Sequence, residues 1–218
     1  MVFNGIMACC KNKGIGKNNT LPWKLKEDLI RFKKITIGNG NNCIIMGSKT
    51  WDSIKFLKGR DHLILSSKLN MEYNINENVI KSFSSINDLK KYVNERNYDK
   101  SWVIGGSNIL KQFLELNLID MLYVTFLNED YSCDVFLPEI PVNYFQTKFQ
   151  LLNEKTENGE NVFIVIFKQI KKGMHVEYEN NKWIIENIHF EDYPNIYFTI
   201  KDMNGREKQT IKEKLKLL

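Results

Sequence analysis

Apolar and polar positions along the chain change rhythm twice. Up to about residue 127, short apolar runs alternate with stretches whose apolar residues recur every three or four positions. The runs Val2–Cys10, Cys43–Met46, His62–Ser66, Val79–Phe83, Trp102–Ile104 and Met121–Leu127 predict strands. Leu25–Ile35, Ser85–Asn94 and Ser107–Leu116 predict helices, and Ser85 with Asp88 three residues on resembles a capping box. Such alternation predicts a mainly parallel sheet with helices on both faces. Phe145–Lys155 and Asn161–Lys168 then read as two strands joined by Glu157-Asn158-Gly159-Glu160, an Asn-Gly hairpin turn. The expected fold is therefore α/β: an eight-stranded, mostly parallel sheet with an antiparallel C-terminal edge, flanked by helices.

After Gln169 the texture becomes all β. Gly173–Glu179, Trp183–Ile188, Ile196–Lys201 and Glu207–Ile211 alternate apolar and polar residues, with turns at Asn180-Asn181, Tyr193-Pro194 and Asn204-Gly205. A unit of about 45 residues is marginal by itself, so it is expected to pack on the preceding domain or close into a barrel. The division expected is residues 1–169 for the first domain and 170–218 for a small β-module, with Ile170–Lys172 as a short polar link. Glu177, Tyr178, Trp183, Ile184, Ile185, Tyr193, Tyr197 and Phe198 either form its core or build a cage for a methylated cation.

One acidic residue interrupts the pattern of the first helix. Leu25, Leu29 and Phe32 define an apolar face, and Asp28 points the same way, whereas Glu27 and Arg31 fall on other faces. A carboxylate on such a face needs a strong partner. Two partners are open: a protein Arg in a structural ion pair, or a ligand with adjacent N–H donors. Upstream lies Gly14-Ile15-Gly16-Lys17-Asn18-Asn19-Thr20-Leu21-Pro22-Trp23, either a ligand-covering loop or a surface loop with Trp23 in the core. Two strand-to-helix junctions carry glycine: Met46-Gly47-Ser48-Lys49-Thr50-Trp51 and Ile104-Gly105-Gly106-Ser107-Asn108. Each is a plain turn or a place where backbone and helix N–H groups meet phosphate; two on one sheet point to an extended anionic cofactor. Arg60, after Gly59, suits a carboxylate or faces solvent, and Ser66-Ser67-Lys68 follows the next strand.

In this order, Gly-Ile-Gly-Lys-Asn, Leu-Pro-Trp with an Asp five residues after the Trp, Ile-Met-Gly-x-x-Thr-Trp, Gly-Arg and Ile-Gly-Gly resemble the dihydrofolate reductase family, from about Val2 to Lys168. The resemblance implies NADPH-dependent reduction of 7,8-dihydrofolate, with dihydrofolate and antifolate inhibitors as ligands. It implies that Asp28 anchors the pterin, supported by Thr125 through a water, with Trp23 as a further catalytic-site residue. Ile6, Phe32 and Ile104 would line the pterin pocket, with Leu29, Ile54 and Leu57 against the benzoyl ring and Arg60 on the glutamate α-carboxylate. Ala8, Ile15, Gly16 and Leu21 would close over the nicotinamide. Gly47, Lys49, Thr50, Ser66, Ser67 and Lys68 would hold the phosphates and adenosine end. Gly105 and Gly106, joined by a peptide usually cis in the family, would let backbone meet the cofactor beside Ser107, Asn108, Ile109 and Leu110. Two departures stand out: Leu110 occupies a position often held by Tyr, and Ser48 and Asn108 stand where a basic residue is common, so NADPH preference leans on Lys49, Ser66, Ser67 and Lys68. Reductases of pyrimidine intermediates in riboflavin synthesis share the sheet and the Gly-Gly junction, but are not expected to carry Leu-Pro-Trp and the helix carboxylate. A non-catalytic binding module is opposed by the joint presence of Asp28, Arg60, Thr125, Gly105 and Gly106.

Composition narrows the partners. A net charge of +5 from 31 basic and 26 acidic residues fits an anionic small molecule, and the near-balanced tail gives no support to nucleic-acid binding. The tail is expected to be a stabilising appendage or to meet an unknown protein partner. Cys9, Cys10, Cys43 and Cys133 lack metal-ligand spacing and read as reduced core thiols. No apolar stretch approaches the roughly 20 residues that span a bilayer, and the N-terminus lacks signal-peptide character, so a cytoplasmic location and no membrane partner are expected. No thymidylate synthase segment follows within the 218 residues, so the chain is expected to stand apart from bifunctional fusions.

Overall fold

The computed structural model describes residues 2–54, 56–190 and 196–218. In chain order the elements are β1 (Phe3–Cys9), β2 (Gly14–Gly16), α1 (Lys26–Ile37), β3 (Asn42–Gly47), α2 (Ser48–Ser53), β4 (Asp61–Leu65), β5 (Glu72–Ile75), β6 (Asn78–Phe83), α3 (Ile86–Arg96), β7 (Lys100–Gly105), α4 (Ser107–Glu115), β8 (Ile119–Leu127), β9 (Val135–Phe136), β10 (Tyr144–Lys155), β11 (Asn161–Gln169), β12 (His175–Tyr178), β13 (Asn181–His189), β14 (Tyr197–Lys201), β15 (Glu207–Ile211) and β16 (Lys216–Leu217). Contacts divide them into two compact units. One is Met1–Glu139 with Lys148–Ile166; the other is Ile140–Thr147 with Phe167–Leu218.

The main sheet has nine strands in the order β10-β11-β8-β1-β7-β3-β4-β6-β5. Its centre is parallel: β1 pairs with β7 and β8, β3 with β4 and β7, and β4 with β6. These strands are rich in buried Val, Ile, Leu and Met, as a sheet covered on both faces requires. The sheet has one strand more than the sequence pattern predicts. β5 pairs antiparallel with β6 across Asn76-Glu77, both at positive φ (46° and 68°). Three of its four residues are exposed, so it carries no alternating apolar signal. At the other edge β10 and β11 form the expected hairpin: Thr156 N–H bonds Glu160 O, and Gly159 supplies φ +83°.

Gly47 precedes α2, and Gly106 precedes α4. Ser85 caps α3 as expected, accepting from Asp88 N–H at 3.1 Å. α1 has no such cap of its own, because its N-cap residue is Leu25. All four cysteines are free and buried.

The second unit holds a five-stranded antiparallel sheet, order β15-β14-β13-β12-β16. Its core is Phe145, Ile170, Val176, Tyr178, Ile185, Phe198 and Ile200, with Trp183 partly buried against it. The expected polar link is corrected here. Ile170 is only 2% exposed and its N–H bonds Asn143 O at 2.8 Å, because an Ile beside polar neighbours still gains more by joining a core than by facing water. The turn expected at Asn180-Asn181 sits one residue earlier, on Glu179 and Asn180, both at positive φ. The Tyr193-Pro194 turn, and Tyr193 as a core residue, lie outside the described residues. Among the described residues no helix is long and apolar enough to cross a membrane, and no group of three or more His, Cys, Asp or Glu is placed to hold a metal.

Candidate active site

Strand ends and helix starts of the first unit converge on one cleft of about 1480 Å³. It draws walls from β1 (Ile6, Met7, Ala8), the Gly14–Leu21 loop, α1 (Asp28, Leu29, Phe32, Lys33) and the Gly47 junction with α2. Ile54, Phe56, Leu57, Lys58 and Arg60, then Ser66–Lys68, the Gly105-Gly106 junction with α4, and Thr125 of β8 complete it. Of the catalytic, substrate-binding and cofactor-binding residues that the resemblance implies, Trp23 and Leu110 alone do not line the cleft. Trp23 is 5% exposed, packs with Cys10, Leu25, Leu127, Cys133 and Val162, and meets Tyr131 edge-on. Leu110 is fully buried, and its Cδ1 fills space that a Cβ on Gly5 would contest at 3.3 Å.

Asp28 stands in the α1 wall with a side chain 16% exposed. Thr125 Oγ1 donates to its Oδ1 at 2.5 Å. The support is direct, where a water-mediated one was expected, because α1 and β8 approach closely enough for hydroxyl and carboxylate to touch. Among the described residues Oδ2 accepts no hydrogen bond, so it remains for a ligand N–H. Burial pushes the carboxyl above its ordinary value of 3.8, while the Thr125 hydroxyl and the Arg31 charge pull it down and Glu154 pushes it up. Arg31 was expected on another face. Its Nη1 lies 3.8 Å from Asp28 Oδ1 and donates to Thr125 Oγ1 at 3.4 Å. Both partner readings of Asp28 thus meet at one carboxylate: an Arg stands beside one oxygen, and the other is free.

Arg60 lies in the same cleft at 2% exposure. Its Nη1 donates to Lys33 O at 3.4 Å and its guanidinium covers the Phe32 ring at 5.6 Å. Its Nε is buried and has no partner among the described residues. Burial lowers its pKa to about 10, which still leaves it charged at neutral pH. A buried cation with an unused donor is a site for an anion. His62 props this wall: its Nε2 accepts Leu57 N–H at 3.2 Å, with Phe56 stacked on its ring at 5.0 Å.

Phosphate-type donors gather along the rest of the cleft. Neither α2 nor α4 has a side-chain cap, so their first N–H groups are unused by caps, and Lys49, Ser66, Ser67 and Lys68 join them. The Gly105-Gly106 peptide is cis, and Gly105 sits at φ +134°, a conformation that favours glycine; Cβ atoms at the two positions would meet Thr50 Oγ1 only at ordinary contact distances of 3.5 and 3.4 Å. β2 pairs with β9, bringing Ile15, Gly16 and Val135 into the lining, and Asn18 N–H bonds Asp134 at 2.9 Å. Ser85, read from the sequence only as a helix cap, also lines the cleft, as do Lys33, Ser53, Phe56, Ser84, Ile86, Gln112 and Val135, which the sequence does not mark. Nothing in their local pattern separates them from ordinary surface positions.

Residues 2–172 match the family described as dihydrofolate reductase. The chain belongs to the dihydrofolate reductase family. Among the curated proteins it resembles the dihydrofolate reductase of Heliothis virescens, 32% identical over 168 residues, covering 72% of this chain and 88% of that one. It is also similar to the bifunctional dihydrofolate reductase-thymidylate synthases of Zea mays and Paramecium tetraurelia. The first is 28% identical over 210 residues (86% of this chain, 40% of the relative). The second is 35% identical over 161 residues (73% and 33%). The chain thus spans two-fifths or less of these two bifunctional relatives. Every cleft residue falls inside the segment matched to dihydrofolate reductase, whereas β12 to β16 lie beyond it.

Proposed function

We propose that the chain reduces 7,8-dihydrofolate to 5,6,7,8-tetrahydrofolate with NADPH. The observation that carries this is the pairing, in one cleft, of a half-shielded carboxylate with one free oxygen and a buried guanidinium with one free donor. A pterin offers adjacent N–H groups to the first, and a glutamyl tail offers a carboxylate to the second. The uncapped starts of α2 and α4, Lys49 and Ser66–Lys68 suit the phosphates of a dinucleotide, and the Gly105-Gly106 backbone, bare of side chains, suits its close approach. When bound, the reduced nicotinamide supplies the hydride.

The chain's own residues align and polarise. Asp28 Oδ2 would accept from the pterin ring and its amino group, fixing the ring and raising the basicity of N5. Ile6, Phe32 and Ile104 would hold the ring on its apolar faces, and Leu29, Ile54 and Leu57 the benzoyl group. Arg60 would fix the tail, and the Gly14–Leu21 loop would exclude water. The same donors and acceptors suit antifolates of the diaminopyrimidine type.

Residues 1–169 form the reductase domain in this reading, and 170–218 a small all-β module that stabilises the protein or meets a protein partner. Two observations support the division: no cleft residue lies beyond Val135, and the family match stops at residue 172. The test is incubation of the full chain with NADPH and dihydrofolate, with tetrahydrofolate quantified. Turnover supports the reading; absence of product in a chain that binds both ligands refutes it.

A further inference from the structure

Arg31 takes no part in the cleft lining, yet it touches both groups that define the anchor. It lies three residues after Asp28 on α1, a spacing that puts the two side chains on adjoining faces. Its stem curls back, leaving the side chain 16% exposed, with the guanidinium 5.9 Å from the Tyr123 ring centre. Tyr123 stands two residues before Thr125 on β8, so ring and hydroxyl share one face of that strand. One Arg31 nitrogen therefore faces Asp28 Oδ1 at 3.8 Å and Thr125 Oγ1 at 3.4 Å, while Thr125 gives its own proton to Asp28. The hydroxyl has a settled direction: it accepts from the cation and donates to the carboxylate.

We propose that Arg31 is a positioning residue that orients the Thr125 hydroxyl and keeps Asp28 a carboxylate with Oδ2 turned to the ligand. This rests on the reading of Asp28 as the pterin anchor. The need for such a residue comes from the surroundings. Burial and Glu154 of β10 both favour the protonated acid, and Arg31 is the cation that opposes them; Tyr123 is the titratable group facing Arg31. A protonated Asp28 would present a donor where the pterin needs an acceptor. Arg31 acts without contacting the ligand, because it stands behind the carboxylate rather than in the cleft.

The experiment compares Arg31→Met, Arg31→Gln and Arg31→Lys in the full chain. The Asp28 carboxyl is titrated by carbon NMR without ligand, alongside pH profiles of kcat/KM for dihydrofolate. Removing the charge is expected to raise the Asp28 midpoint by about one pH unit, as for loss of a close opposite charge. The KM for dihydrofolate near neutral pH should rise several-fold while the KM for NADPH stays within about two-fold, and Arg31→Lys should restore most of both effects. If Arg31→Met does not fold, Arg31→Gln removes the charge and keeps a donor for Thr125. An unmoved midpoint in a folded neutral variant, or equal shifts in the Gln and Lys variants, overturns the proposal. A wild-type chain without reductase activity would refute the proposed function instead, since the titration needs no ligand.

Discussion

Glu154 on β10 accepts the backbone N–H of Asp28 at 3.4 Å, together with those of Lys26 at 2.6 Å and Glu27 at 3.0 Å. A strand distant in sequence thereby caps the helix that carries the anchor, where Leu25 offers no side-chain acceptor. Glu154→Ala should destabilise the protein by about 1–2 kcal/mol in denaturant unfolding, the range of a lost cap. It should also lower the Asp28 midpoint, because the negative charge that opposes ionisation is gone. Unchanged stability would mean that solvent caps the helix equally well.

His62 predicts an acid limb of stability. Its pKa is lowered from 6.5 to about 4, chiefly by burial and then by the nearby Arg60 charge. The folded state disfavours the protonated ring, so its contribution is complete above about pH 6.5 and is lost as pH falls toward 4. Over that window, unfolding of the wild type should lose up to about 3 kcal/mol more than that of His62→Gln. Parallel pH curves for the two proteins would contradict this.

Arg60 should act on one end of the substrate. Arg60→Ala is expected to weaken dihydrofolate binding by about 1.5–3 kcal/mol, as for a charged hydrogen bond. A pterin lacking the glutamyl tail should lose almost nothing. Equal losses for both ligands would place the anion site elsewhere.

Phe198 is fully buried in the core of the second unit. Phe198→Ala in the full chain should cost that unit about 3–5 kcal/mol. The kinetic constants measured below its unfolding transition should stay within about two-fold, since no cleft residue lies beyond Val135. A matching loss of turnover would make the tail part of the active site.

Much of this was legible because it is local. Buried runs such as Ile44–Met46 and Leu63–Leu65 announce central strands, and Gly47 and Gly105-Gly106 mark strand-to-helix junctions by their lack of side chains. What escaped depends on distant partners or weak patterns. β5 is an exposed edge, and β2, β9 and β16 have two or three residues each. Glu154 meets α1 only through the fold. Arg31 stays off the cleft as its helical face predicts, but its contact with Asp28 and Thr125 escapes a reading from Cβ directions, because a long side chain reaches around its helix. Ile170 was assigned by its polar neighbours rather than by its own need for burial.

Asp28 carries the account, and Asp28→Asn tests it most directly. Asparagine keeps the shape and removes the charge. The measurement is the steady-state rate of NADPH oxidation with dihydrofolate, wild type against Asp28→Asn, from neutral to acid pH, with NADPH binding by fluorescence as the control. Turnover at neutral pH should fall by about 100-fold or more, the deficit should shrink as pH drops and more substrate arrives protonated, and NADPH affinity should not change. A folded Asp28→Asn that turns over at near wild-type rate at neutral pH would contradict the assignment.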